Sequence, residues 1–200
     1  MQSFTFGDPA VSVAPREIEI KMRITDLNIA RQALQAAGAA HIETVHELNE
    51  FFDRPDASLR KAGNGLRIRS FRRDGAADAE SLLTWKGPLA PGIMHNRPSI
   101  DLRASPASLA PAFLAALGYV RTAGFEKIRE SWSLTACRIE LDRLPHFGIF
   151  VEIEGPDEPT VLHVRSQLAM DGLEAISNSY HAMVAEYLRQ FPVPDNTLRF

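Results

Sequence analysis

The segment PREIEIKMRI, residues 15–24, alternates strictly between charged and aliphatic side chains. Glu17, Glu19, Lys21 and Arg23 fall on one side, and Ile18, Ile20, Met22 and Ile24 on the other. A period of two is that of a β-strand with one buried face. The constraint comes from repetition. Charged alternation returns in LRIRSFRR (66–73), SLLTWKG (81–87), HNRPSIDLR (95–103), EKIRESWSL (126–134), CRIELDRL (137–144) and IFVEIEG (149–155). The signs are sorted. By parity the acids Glu17, Glu19, Asp142, Glu152 and Glu154 lie on the first and last strands. The bases Arg67, Arg69, Lys86, Arg97, Lys127 and Arg129 lie on the middle ones.

Two arrangements satisfy this pattern. The charged faces can look into water while the apolar faces pack on helices. Alternatively the sheet closes on itself, with helices over its apolar outside and the charges lining its interior. An interior of unpaired charge is costly, but closure brings first and last strands together and sets an acidic wall opposite a basic one. With HIETVHELNEFFD (41–53) there are roughly eight strands, the number that closes a small barrel. The order of the elements suits an α+β class, and the pattern by itself leaves both arrangements open.

The helical segments read from caps and breakers. Asp26 is an N-cap for a helix ending at Gly38. Residues 54–65 form a short helix or turn closed by glycines, and 74–80 a turn. Ser105 caps a helix over 105–118 with Pro106 at its first position. Residues 161–172 and 176–191 are helical. The expected organisation is an irregular segment over 1–15, one domain over 16–190 and a loose tail over 191–200.

The chain has 200 residues, 45% of them hydrophobic, and a formal net charge of -3. That supports a sizeable core and gives no bulk field for nucleic acid or membrane. A single cysteine, Cys137, excludes an internal disulfide. The N-terminus lacks a signal-peptide pattern, and no apolar run reaches membrane-span length. The expectation is a cytoplasmic protein without nucleic-acid or membrane partners.

Carboxylates opposite guanidinium and ammonium groups suit one ligand type. Carboxylate oxygens bind hard divalent cations such as Mg2+ or Mn2+, and the cationic groups bind phosphate oxygens. A metal–polyphosphate complex uses both.

EIEIK also resembles the E-x-E-x-K signature of the CYTH superfamily, the triphosphate tunnel metalloenzymes named for class IV adenylyl cyclase and thiamine triphosphatase. EFFDRPDASLRKAGNGLRIR, TWKGP, NRPSID, KIRESW and ELDRLPHFGIFVEIEG resemble its later strands in order, and SNSYHAMVAEYL resembles a helix of class IV cyclases. The resemblance implies that Lys21, Arg67, Arg69, Lys86, Arg97, Lys127 and Arg129 grip a triphosphate, with Lys21, Lys86 and Arg129 as the catalytic groups. It implies that Glu17, Glu19, Asp142, Glu152 and Glu154 hold Mg2+ or Mn2+, with Glu140 a weaker candidate. Where family members carry R-x-E, this chain has Arg97-Pro98-Ser99, and Asp101 on the same face can substitute for the missing acid. The implied fold is a closed antiparallel eight-stranded barrel, or tunnel, with helices packed outside, and the implied substrate is ATP, converted to cyclic AMP and pyrophosphate. Hydrolysis of tripolyphosphate or thiamine triphosphate is the alternative, and a non-catalytic polyphosphate- or nucleotide-binding module is the third reading.

Other residues read as structural. Arg23, Arg73 and Arg103 fall at strand ends, as rim residues. The scattered histidines form no metal motif. Cys137 shares parity with Ile139 and Leu141 and should pack. Gly63 to Gly65 form a turn. Trp85 should pack outward under a helix. The helix bearing Tyr180 should be barrel cover, with homodimerisation an additional possible use.

Overall fold

The strands of the computed structural model, which describes residues 15–73 and 80–200, form one cyclic ladder. The expected irregular segment through residue 14, the turn at 74–79 and the side chain of Arg73 lie outside the described residues. The strands are β1 (Arg16–Ile24), β2 (Ala40–Asp53), β3 (Gly65–Arg73), β4 (Glu80–Lys86), β5 (His95–Ala104), β6 (Val120–Leu134), β7 (Cys137–Leu144) and β8 (Gly148–Glu154). Their order is β2-β3-β4-β5-β1-β8-β7-β6, every pairing is antiparallel, and β2 pairs back onto β6. The sheet is thus a closed eight-stranded barrel, and β1 neighbours β8, as the sorting of charge requires.

Closure turns each strand's alternation into an inside and an outside. Ile20, Met22, Ile139, Leu141, Val151 and Ile153 face outward. They are buried with Trp132, Leu134 and Cys137 under α1 (Leu27–Ala36) and α4 (Glu158–Gln167). Asp26 caps α1, its carboxylate accepting from the Asn28 and Ile29 amides. Asp157 caps α4 in the same way through Thr160. Phe52 and Ile68 are covered by Ala110 and Leu114 of α3 (Ala110–Ala116). That helix starts later than its sequence suggests, because a 3-10 turn occupies Ala107–Leu109 first. Trp85, expected under a helix, is only half-buried and belongs to none of these clusters.

Two elements depart from expectation. The tail is not loose. Thr197–Leu198 form a ninth strand, β9, parallel to β6 at Gly124 and Phe125. Leu198 is 1% exposed, and Arg121 donates to Thr197 Oγ1 and to the Asp195 carbonyl. The tail is held because it satisfies the free edge of β6 beyond β7 and buries an aliphatic side chain there.

The last helix, α5 (Tyr180–Gln190), is not outer cover. Its Tyr180, Val184 and Leu188 pack with Phe51, Phe125, Leu144 and Phe150. Phe51, Phe125 and Phe150 share strand parity with Asn49, Lys127 and Glu152, so α5 packs on channel-facing side chains. Its single-strand parity partners were readable; that these aromatics turn inward is set by closure.

Candidate functional site: a charged channel in the barrel

The interior is a cavity of about 980 Å³. Strand alternation places in its wall Glu17, Glu19, Lys21, Arg67, Arg69, Lys86, Arg97, Lys127, Arg129, Glu152 and Glu154, and the wall also includes Ser99, Asp101 and Glu140. Asp142 lies among them, fully buried and paired to Lys127 and Arg129. Every residue expected in the site therefore comes to this one space, from strands far apart in sequence.

The deep part is neutralised internally. Arg129 grips Asp142 with two parallel bonds, Nε to Oδ1 at 2.7 Å and Nη2 to Oδ2 at 2.6 Å, and also reaches Glu152 at 2.6 Å. Lys21 lies 3.3 Å from Glu152 and 4.1 Å above the centroid of the Tyr180 ring. Lys127 lies 3.1 Å from Asp142. Burial opposes ionisation of Glu152, yet Lys21 and then Arg129 hold its carboxyl well below the usual range. Burial also works against charge on Arg129, but Asp142 and Glu140 raise its pKa further still.

Sequence reasoning missed four members of the site. Glu47 on β2 is 3% exposed and pairs with Lys127 at 3.5 Å and Arg69 at 3.6 Å. Burial disfavours its charge, but Lys127, Arg129 and Arg69 outweigh this and hold its pKa at about 2. Asn49 accepts from Arg67 at 3.3 Å. The parity of β2 carried both residues, but its two faces mix charge and hydrophobicity, so pattern alone does not say which turns inward. His95 contacts Glu19 Oε1 through Nδ1 at 2.9 Å and the Ser177 carbonyl through Nε2 at 2.7 Å. Tyr180 is the fourth, and its placement depends on how α5 docks.

The wall of β3, β4 and β5 is cationic and less satisfied. Among the described residues Arg67 makes no ion pair; it donates only to Asn49 and, at 3.4 Å, to Thr84. Burial and then repulsion from Arg69 bring its pKa down to about 10. The Nε atoms of Arg67, Arg69 and Arg97 are buried and have no hydrogen-bond partner among the described residues. Guanidinium donors left unpaired in a cavity are an anion site by chemistry. Lys86 is held 2.5 Å from both Glu17 oxygens, and Arg97 Nε lies 3.6 Å from Glu17. Burial lowers the Lys86 pKa and opposes ionisation of Glu17, but Lys86 and Arg97 bring the Glu17 carboxyl down to about 2.

The five acids expected to bind metal divide into two groups. Asp142 and Glu152 are committed to Arg129, Lys127 and Lys21. Glu19 and Glu154 stand in direct cross-strand register, and burial, followed by the charges of Glu17 and Glu19, pushes the Glu154 carboxyl up to about 7. Hard carboxylates that repel one another fit a divalent cation. Even so, among the described residues no three His, Cys, Asp or Glu side chains are arranged as a metal cage. A cation here would have to draw Glu17 from Lys86. At the position of the missing family acid, Ser99 lines the cavity, and Asp101 accepts a hydrogen bond from Thr84 at 2.5 Å. Of the expected rim residues, Arg23 and Arg103 are exposed. Arg103 pairs with Glu80, and Arg23 donates to the Phe147 carbonyl.

In the lumen of this closed antiparallel barrel, guanidinium donors without partners among the described residues stand beside clustered carboxylates, an arrangement whose chemistry suits a polyanion. The chain belongs to the CYTH domain family, whose model matches residues 15–176. It is 28% identical over 155 residues to adenylate cyclase CyaB of Aeromonas hydrophila, covering 76% of each chain. Its fold matches the PH1819 protein of Pyrococcus horikoshii at a TM-score of 0.74 and 22% identity, covering 86% of this chain and 99% of that one. It also matches HpAC1 of Hippeastrum, described as a putative adenylyl cyclase with a dominant triphosphatase activity, at a TM-score of 0.65 and 19% identity. That match covers 86% of this chain and 95% of the other. No helix among the described residues is long and apolar enough to cross a membrane.

Proposed function

We propose that this chain is a metal-dependent enzyme acting on triphosphates inside the channel, converting ATP to cyclic AMP and pyrophosphate. The observation that carries the reading is Arg67, a channel guanidinium without a carboxylate partner among the described residues, flanked by Arg69 and Arg97 whose Nε groups those residues leave unsatisfied. Phosphate oxygens are the natural acceptors for such planar donors.

Arg67, Arg69, Arg97 and Lys86 hold the phosphate chain from the β3–β5 wall. Lys21, Lys127 and Arg129 face it from the opposite side and stabilise negative charge as the leaving group departs. Lys21, Lys86 and Arg129 are the expected catalytic groups. Asp142 and Glu47 keep Arg129 and Lys127 oriented. Glu17, Glu19 and Glu154, with Glu152 next to them, would hold Mg2+ or Mn2+, which when bound would supply positive charge to neutralise the phosphates. The channel residues then fix the chain so that the ribose 3′-hydroxyl lies in line with the α-phosphorus.

The likeness to HpAC1, a putative adenylyl cyclase with a dominant triphosphatase activity, supports a second reading, attack by water on the terminal phosphate. The grip is the same and only the nucleophile changes. Product analysis with Mg2+ or Mn2+ over ATP, thiamine triphosphate and tripolyphosphate separates the two. Cyclic AMP with pyrophosphate supports the cyclase, orthophosphate supports the hydrolase, and saturable binding without turnover reduces the protein to a binding module.

A further inference from the structure

The family match ends at residue 176, yet α5, which follows it, supplies part of the cavity wall, including Tyr180, His181 and Ala185. The triphosphate grip and the rest of the substrate can therefore be read by different parts of the chain. One feature of α5 is not explained by its docking. His181 lies flat on Phe51, with ring centroids 4.0 Å apart and planes 3° apart. Phe51 is in turn stacked on Phe125, at 5.9 Å and 19°. The rings form a continuous pile running outward from the barrel core. Its outermost member, His181, is half-buried and lines the cavity.

α5 is anchored without that ring, because Tyr180, Val184 and Leu188 carry its buried contacts. The pile also stands beside the grip. Phe51 is the cross-strand partner of Arg67, and Arg97 is among the charged groups facing His181, with Arg60 and Asp53. Burial, and then Arg60, hold the His181 pKa at about 4, so the imidazole is neutral near pH 7. A neutral flat ring within reach of phosphate-binding arginines is suited to stacking on an aromatic heterocycle and adds no further charge.

We propose that Phe125, Phe51 and His181 form a shelf for the nucleobase, which makes the preferred substrate a nucleoside triphosphate and not an inorganic one. The proposal rests on the triphosphate reading of the channel and specifies which triphosphate. Stacking of one base changes affinity by about 5- to 150-fold, enough to set a preference between the two kinds of triphosphate.

The test compares affinities for ATP and for inorganic tripolyphosphate by calorimetry in metal-free buffer, for the wild type, His181→Ala and His181→Phe. Thermal unfolding of each variant checks the fold. The shelf predicts that His181→Ala shifts the ratio of the two affinities about tenfold against ATP, and that His181→Phe restores it. An unchanged ratio overturns the proposal, and so does an equal loss for both ligands, which would mean that His181 only docks α5. A wild type that binds neither ligand, with or without Mg2+, instead defeats the triphosphate reading itself.

Discussion

Glu19 of β1 and Glu154 of β8 face each other directly across the strand pair, inside a closed barrel. Like charges in that position destabilise a sheet. Here the cost appears as the carboxyl of Glu154, pushed up to about 7 by burial, Glu17 and Glu19.

The sign of the resulting pH dependence is fixed. Glu154 binds its proton more tightly folded than unfolded, so its stabilising contribution is present below about pH 4.5 and is lost as pH rises through 7. Metal-free protein should lose about 1–3 kcal/mol from this group between pH 5 and 8, and Glu154→Gln should flatten that slope. Mg2+ at pH 8 should raise the melting temperature of the wild type more than that of the variant. Equal slopes in chemical denaturation across the pH series would count against this cluster.

Acid acts on the other carboxylates in the opposite sense. Glu17 and Glu47 are each held at about 2, so their contribution is present above about 4.5 and lost as pH falls toward 2. Each is worth about 3 kcal/mol by the linkage relation. Denaturation midpoints at pH 5, 4 and 3 should fall steeply, and Glu47→Gln should remove part of the drop. A midpoint independent of pH over that range is the contrary result.

Glu47→Gln should also be costly at neutral pH. It leaves Arg69 and part of the charge on Lys127 uncompensated, while Lys127 keeps Asp142. The expected loss is roughly 3 kcal/mol, the low end for breaking a buried ion pair. Urea titration measures it, and a loss below 1 kcal/mol would make Glu47 a spectator.

Removal of residues 195–200 exposes the edge of β6 and the site of Leu198, and takes partners from Arg121. The expected cost is about 2–3 kcal/mol from the leucine alone. An unchanged melting temperature would show that the ninth strand contributes nothing.

How much of this was legible in the sequence depended on how clean each strand's alternation is. Over residues 17–24 of β1, 66–69 of β3, 138–142 of β7 and 151–154 of β8 one face is charged and the other aliphatic, so inside and outside could be assigned once closure was assumed. β2 mixes His46, Leu48 and Phe52 on one face with Val45, Glu47 and Phe51 on the other, and so concealed Glu47 and Asn49. His95 and Tyr180 were illegible for a different reason. His95 meets Glu19 through the β1–β5 register, and its contact with Ser177, like that of Tyr180 with Lys21, is made only when α5 and the segment before it dock on the barrel. The sorted acids were visible too. That Asp142 and Glu152 spend their charge on Arg129 and Lys21, while Glu154 keeps a carboxylate neighbour, follows from cross-strand register.

The central claim is that the channel binds a polyanion through guanidinium donors that the described residues leave without hydrogen-bond partners. Calorimetric titration of inorganic tripolyphosphate into the wild type and Arg67→Ala tests it most directly. Loss of a charged hydrogen-bonding group should weaken binding roughly 10- to 100-fold, while the melting temperature stays near that of the wild type, because Arg67 has no carboxylate partner among the described residues to abandon. Undiminished affinity in a folded Arg67→Ala protein would contradict the account.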